Sequence, residues 1–170
     1  MSGYESDFFW GSNIVSNMYI NGKGVIVFDN PVTHVIGGDS ESGPFTYSNL
    51  TSIILPNSIV EVAYGGLNIP STCGYLELPN NIEKINSYGI YMRVDPVAII
   101  NIPVSLKYLE LNSILNWGYS PIEINYSGTK ENWISIEKHE QWTLGNNQIT
   151  IHCIDGDVVY EQIYFPDGIA

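Results

Sequence analysis

The sequence predicts a mostly β protein: a short solenoid built on a ladder of parallel strands, preceded by a segment that holds a β-hairpin. Three observations carry that expectation. A unit of about two dozen residues recurs, each copy opens with alternating apolar and polar residues, and each of these runs stops at a proline. The composition agrees: only 14% of residues are charged while Asn, Ser, Gly, Ile and Tyr abound, a mixture that favours strands and turns over helices.

The repeat is read directly. SIILPNSIVEVAYGGL from Ser52, YLELPNNIEKINSYGI from Tyr75 and IINIPVSLKYLELNSI from Ile99 align without a gap, at offsets of 23 and then 24. Ile53, Leu76 and Ile100 correspond, as do Leu55, Leu78 and Ile102, and Ile59, Ile82 and Leu106. Val62, Ile85 and Leu109 follow, then Leu67, Ile90 and Ile114. IEINYSG continues the series with Ile124 and Tyr126, and ITIHCID adds Ile149, Ile151 and Cys153 after a longer step of 27. VTHVIGG from Val32 reads as a shortened first rung.

Alternation over four or five residues marks a half-buried strand, so strands are expected around Ile53, Leu76, Ile100, Ile124 and Ile151, with those side chains buried in register. Pro56, Pro79 and Pro103 cannot donate a ladder hydrogen bond and mark where the chain leaves the sheet. The return limbs, with apolar residues three and five apart, are expected to be short irregular or 3₁₀-like pieces. One such unit cannot cover its own apolar face, so the units stack into a continuous core. The alternate side chains then point outward: Ser52 and Ile54, Tyr75 and Glu77, Ile99 and Asn101, Glu123 and Asn125. That face is where a ligand would be read.

LPNSIVEV, LPNNIEKI and IPVSLKYL resemble the LPxSVxxI stretch of the BspA-like, or Treponema pallidum-type, leucine-rich repeats. The stretch INYSGTKENWISIEKHEQWTLGNNQITIHCIDGDVVY is similar to the terminal unit of such arrays, and the resemblance covers Leu50 to Tyr160. It implies a leucine-rich-repeat solenoid over residues 49–170 with a C-terminal cap, in which Trp133 and Trp142 close the open end of the core. Residues 1–48 lie outside the match and are expected to be an anchoring segment with a β-hairpin. NIVSNMYINGKGVIVFDN alternates around an Asn-Gly-Lys-Gly turn, a hairpin signal, and is similar to short strand motifs in tail and appendage proteins of bacteriophages.

Charge and motifs narrow the function. A net charge of -12 repels phosphate backbones and anionic lipid, so neither nucleic acid nor a membrane surface is an expected partner. No apolar run reaches the roughly 20 residues of a membrane span, and the start MSGYESDFFWGSN is not a signal peptide. The chain is therefore expected to be complete from Met1 and not exported by the general secretory route. Cys73 and Cys153, far apart, lack metal or redox spacing and are expected to be buried thiols. His34, His139 and His152 fall in separate units, with no metal motif and no assignable catalytic base, so no enzymatic activity and no cofactor is expected. Asp155 and Asp157 flank a glycine and could in principle ligate calcium, although an Asp-Gly turn explains them.

The expected contacts are aromatic. Phe8, Phe9 and Trp10 have no evident core to enter and are expected to anchor the chain to a partner, with Trp117 and Tyr119 as further contact residues. Together these features predict a structural or binding component of a phage virion, such as a capsid decoration or a head or tail appendage. Its expected partners are other virion proteins or copies of itself, with a host surface protein or glycan at the exposed face. The competing reading is a bacterial cell-surface adhesin.

Overall fold

The computed structural model describes residues 10–38, 43–46, 48–116, 120–143 and 148–160. The first element is an antiparallel hairpin of β1 (Ile14–Ile20) and β2 (Lys23–Phe28), turned at Asn21 and Gly22, whose φ angles of 51° and 80° are those a two-residue hairpin turn requires. Everything after it winds into a β-solenoid of about four turns.

Each full turn contributes a strand to three separate parallel ladders. The first ladder holds β6 (Tyr75–Glu77), β9 (Ala98–Ile102), β12 (Ile122–Tyr126) and β14 (Ile149–Cys153), and ends on the antiparallel β15 (Gly156–Tyr160). The second stacks β3 (His34–Val35), β4 (Glu61–Val62), β7 (Lys84–Ile85), β10 (Tyr108–Leu109) and β13 (Glu137–Lys138). The third stacks β5 (Leu67–Ile69), β8 (Ile90–Met92) and β11 (Ile114–Asn116). The core is three files of identically placed side chains. Leu76, Ile100, Ile124 and Ile151 form one, Val35, Val62, Ile85 and Leu109 the second, and Leu67, Ile90 and Ile114 the third; all of them are fully buried.

The corners explain the spacing of the repeat. After each proline the chain makes the same tight turn, with Ile59, Ile82 and Leu106 donating their N–H to the carbonyls of Pro56, Pro79 and Pro103 at 3.1, 3.0 and 3.3 Å. The small polar residue before the third apolar site stitches its turn to the one below: Asn81 Nδ2 donates to Asn57 O at 2.8 Å and Ser105 Oγ to Ile82 O at 2.6 Å. A second corner places Gly65, Tyr88 and Asn112, related by the repeat, at φ angles of 65°, 54° and 52°. The next position must be small. A Cβ on Gly66 would stand 2.3 Å from Val35 O, and the third copy of the position is Ser113, fully buried, its hydroxyl on Trp142 O.

Several expectations need correction. The return limbs are ordered into two further ladders rather than irregular segments, because strands of two residues, or of three that are buried throughout, give no alternation to read. VTHVIGG does stack on the solenoid, but as β3 opposite Glu61 and Val62, in the second ladder. Residues 34 and 35, within the segment expected to anchor the chain, thus stack on the second ladder. Ile53 forms no strand: no backbone hydrogen bond links Ser52–Leu55 to β6 and Ile53 is only half-buried, so the first ladder begins at β6.

At the far end, α1 (Lys130–Ser135) replaces one corner, with Thr129 as N-cap exchanging hydrogen bonds with Asn132. Trp133 and Trp142 are buried there as expected, in an edge-to-face file running Tyr126, Trp133, Trp142, Tyr160 with centroids 5.2 to 5.8 Å apart.

Candidate interaction surfaces

The outer face of the first ladder carries two rows of side chains. One runs Tyr75, Ile99, Glu123, Thr150; the other runs Glu77, Asn101, Asn125, His152, Asp157. The pairs expected to point outward from β6, β9 and β12 do so, whereas Ser52 and Ile54 lie off the ladder, Ile54 with 96% of its surface exposed.

The second row is joined by a hydrogen-bond chain whose direction follows from its end. The Glu77 carboxylate can only accept, so the Tyr75 hydroxyl 3.2 Å away donates to it. Asn101 must then give its Nδ2 to the Tyr75 oxygen at 2.5 Å, which turns its Oδ1 toward Asn125 Nδ2 at 2.8 Å. Burial and the nearby Glu77 charge push the Tyr75 phenol up, which keeps it a donor. At the other end His152 Nδ1 meets Asp157 Oδ1 at 3.0 Å. This row is thus acidic at both ends and amide-lined between. Beside it lie two shallow grooves, one of about 260 Å³ along Glu77, Asn80, Asn101 and Asn125, the other of about 430 Å³ between Ser52–Leu55 and β6.

The hairpin is the second surface. Of its thirteen strand residues only Ser16 and Phe28 are even half-buried, and Val15, Tyr19 and Ile20 expose 65, 77 and 59% of their surface. Its base is clamped: Asn13 and Asp29 exchange backbone and side-chain hydrogen bonds, which lowers the Asp29 carboxyl below its ordinary range.

Trp10 contradicts its expected role as an exposed anchor. It is 6% exposed and sits between the rings of Phe28 and Phe45 at 5.3 and 5.9 Å, closing the first end of the core. The core it enters includes Val32, Val35 and Ile59, with Phe28 and Phe45 packed against it, residues that a sequence window around Trp10 does not contain. Phe8, Phe9, Trp117 and Tyr119 lie outside the described residues.

The remaining candidates are occupied by structural partners. Asp155 accepts the Lys130 backbone N–H at 2.7 Å at the start of α1, and Asp157 faces His152. Among the described residues no three His, Cys, Asp or Glu side chains converge as metal ligands would. Cys73 is fully buried and burial pushes its thiol up; Cys153 is only half-buried, on the same side of β14 as Ile149 and Ile151 and packed against the edge of the core, and burial pushes its thiol up as well.

Sequence reasoning missed Lys138. It occupies the place below Leu109 in the second file, so a lysine stands at an inward position. Its ammonium donates to the carbonyls of Trp133 and Ile136 at the end of α1 and lies 5.1 Å from the Trp133 ring, while burial lowers its pKa to about 8. The repeat gave no signal for it, because Lys138 stands 29 positions after Leu109, off the step of 23 or 24 that relates the earlier copies.

No family model, curated protein or solved structure matches this chain.

Proposed function

We propose that the chain is a non-enzymatic structural and binding module, a component of a phage virion such as a capsid decoration or a head or tail appendage. In this reading it is held by its N-terminal hairpin and displays the first ladder outward. The observation that carries the proposal is the contrast between the two parts. The solenoid buries three continuous apolar files, whereas the hairpin leaves apolar side chains bare on both faces. Exposed apolar strands of that length are an invitation to pairing that isolated proteins suppress. The resemblance of LPNSIVEV and its copies to BspA-like leucine-rich repeats supports a surface-contact role.

A second reading, a bacterial cell-surface adhesin, draws on the amide-lined face. Asn101 and Asn125 with the half-exposed Tyr75 offer hydrogen-bond donors, acceptors and a ring beside the grooves, chemistry suited to a host protein or a neutral glycan. Mass spectrometry of purified particles from the source organism separates the two. The virion reading expects this chain at a fixed copy number per particle; finding it only in lysate or medium refutes it.

A further inference from the structure

We infer that the hairpin's occupant is a second copy of the same hairpin, packed face to face and head to tail about a two-fold axis. The inference deepens the attachment reading above and rests on it.

In an antiparallel pair, residues directly opposite each other share a face. The pairings Ser16 with Val27, Met18 with Val25 and Ile20 with Lys23 therefore define one face of the hairpin. It is aliphatic from base to tip, with Met18, Ile20, Val25 and Val27 exposing 46, 59, 47 and 42% of their surface. The opposite face interposes Asn17 and Gly24 between Tyr19 and Ile26, and at its base Phe28 turns against Trp10. The aliphatic face is the one that gains most from being covered.

Charge names the cover. Across residues 14–28 the only charged side chain is Lys23, at the tip, although the whole chain carries -12. Asp29 follows one residue past the end of β2, at the base, where its carboxylate accepts from the Asn13 N–H and Nδ2. The hairpin is thus neutral overall, with a positive tip and a negative base. A basic partner would find no acidic row to meet on this face. An identical hairpin laid antiparallel across it brings the Lys23 of each copy to the Asp29 of the other, twice, with the aliphatic side chains between them. Such a contact is self-complementary, as a two-fold interface must be, and two β faces stacked about 10 Å apart suit branched aliphatic side chains.

Within one hairpin Lys23 and Asp29 are six residues apart along β2, roughly 20 Å, too far to touch. That separation makes the test decisive. Zero-length carbodiimide coupling of the full chain, followed by peptide mass spectrometry, should give a Lys23–Asp29 linkage found only in the dimer band, and sedimentation should show a dimer. The variant Met18→Lys with Val25→Glu replaces one cross-strand apolar pair by an opposite-charge pair, which keeps the hairpin paired. It should stay monomeric over the whole concentration range in which the wild type is dimeric, with the melting of the solenoid unchanged. A wild type that is monomeric throughout, a dimer linked elsewhere, or a variant that still dimerises overturns the inference. A monomeric wild type whose variant is lost from particles overturns only the choice of a second copy; a variant incorporated like the wild type overturns the attachment reading as well.

Discussion

The alignment of the repeats treats Ile53 and Ile100 as the same position, yet the structure makes them unequal, and truncating each to alanine measures the difference. Ile100 is fully buried, in register with Leu76 on one side and Ile124 on the other, and fixed by ladder hydrogen bonds to both neighbouring strands. Replacing it by alanine removes three buried carbons, about 2.4 kcal/mol of transfer free energy at roughly 0.8 kcal/mol each. The ladder cannot close over the hole, so a cavity term adds to this and the expected loss is about 3 to 4 kcal/mol. Ile53 is half-buried on a segment with no ladder bonds, free to relax, and its truncation should cost about 1 kcal/mol. Guanidinium unfolding followed by far-ultraviolet circular dichroism, extrapolated linearly to water, reads both. Equal losses, within about 0.5 kcal/mol, would mean that Ser52–Leu55 is a working rung of the ladder and that the first sheet has been placed one strand short.

Three further outcomes are expected. Gly66→Ala pushes a methyl group against backbone oxygens of Val35 and Ala63, at 2.3 and 3.1 Å, and should lower stability by about 2 kcal/mol in the same assay. Trp10→Ala should lower the melting temperature through a loss of about 3 kcal/mol, the low end for a buried tryptophan, because it opens the first end of the core; unchanged melting would restore its role as a free anchor. For Glu110, burial opposes ionisation, but the Ser87 N–H at 3.0 Å and the Lys84 ammonium at 3.1 Å outweigh it and lower its carboxyl below 4.5. Its stabilisation is then complete above about pH 4.5 and lost as the pH falls through the folded-state value, so Glu110→Gln should flatten the acid limb of a stability–pH curve.

The sequence made the first ladder legible because its strands are buried on one face only. Leu76, Ile100, Ile124 and Ile151 alternate with polar neighbours, and a period of two survives in the text of the chain. In the third ladder the middle residues Asn68, Tyr91 and Leu115 are buried along with the residues beside them, so no exposed outer position marks the alternation. The second ladder has strands two residues long, too short for any period. Trp10 and Lys138 escaped for one shared reason. Each is placed by elements distant in sequence, β2 and residue 45 for Trp10, and α1 with β10 for Lys138, and local composition carries no trace of them. Of the candidate surfaces, the amide row was visible as outward positions, but its direction was not, since only the approach of Tyr75 to Glu77 orients the amides.

A parallel ladder must end twice, and each end exposes backbone that a further strand could take. At the C-terminal end the first ladder turns back on itself through β15, and the file from Tyr126 to Tyr160 covers the core beneath it, with the Trp133 ring nitrogen bonded to the Tyr160 hydroxyl at 3.1 Å. The core of that end is closed, and damage to it should be read as loss of folding. The other end is closed in its core by Trp10, Phe28 and Phe45 but not in its backbone. In a parallel strand alternate residues bond to opposite sides, so while Leu76 faces β9 the N–H groups of Tyr75 and Glu77 face Ser52–Leu55, which offers them no ladder bond. The bare edges of β1 and β2 precede it in the chain. Among the described residues the large exposed apolar side chains therefore lie most densely on β1 and β2, whereas edge strands of the solenoid ladders occur at both of its ends.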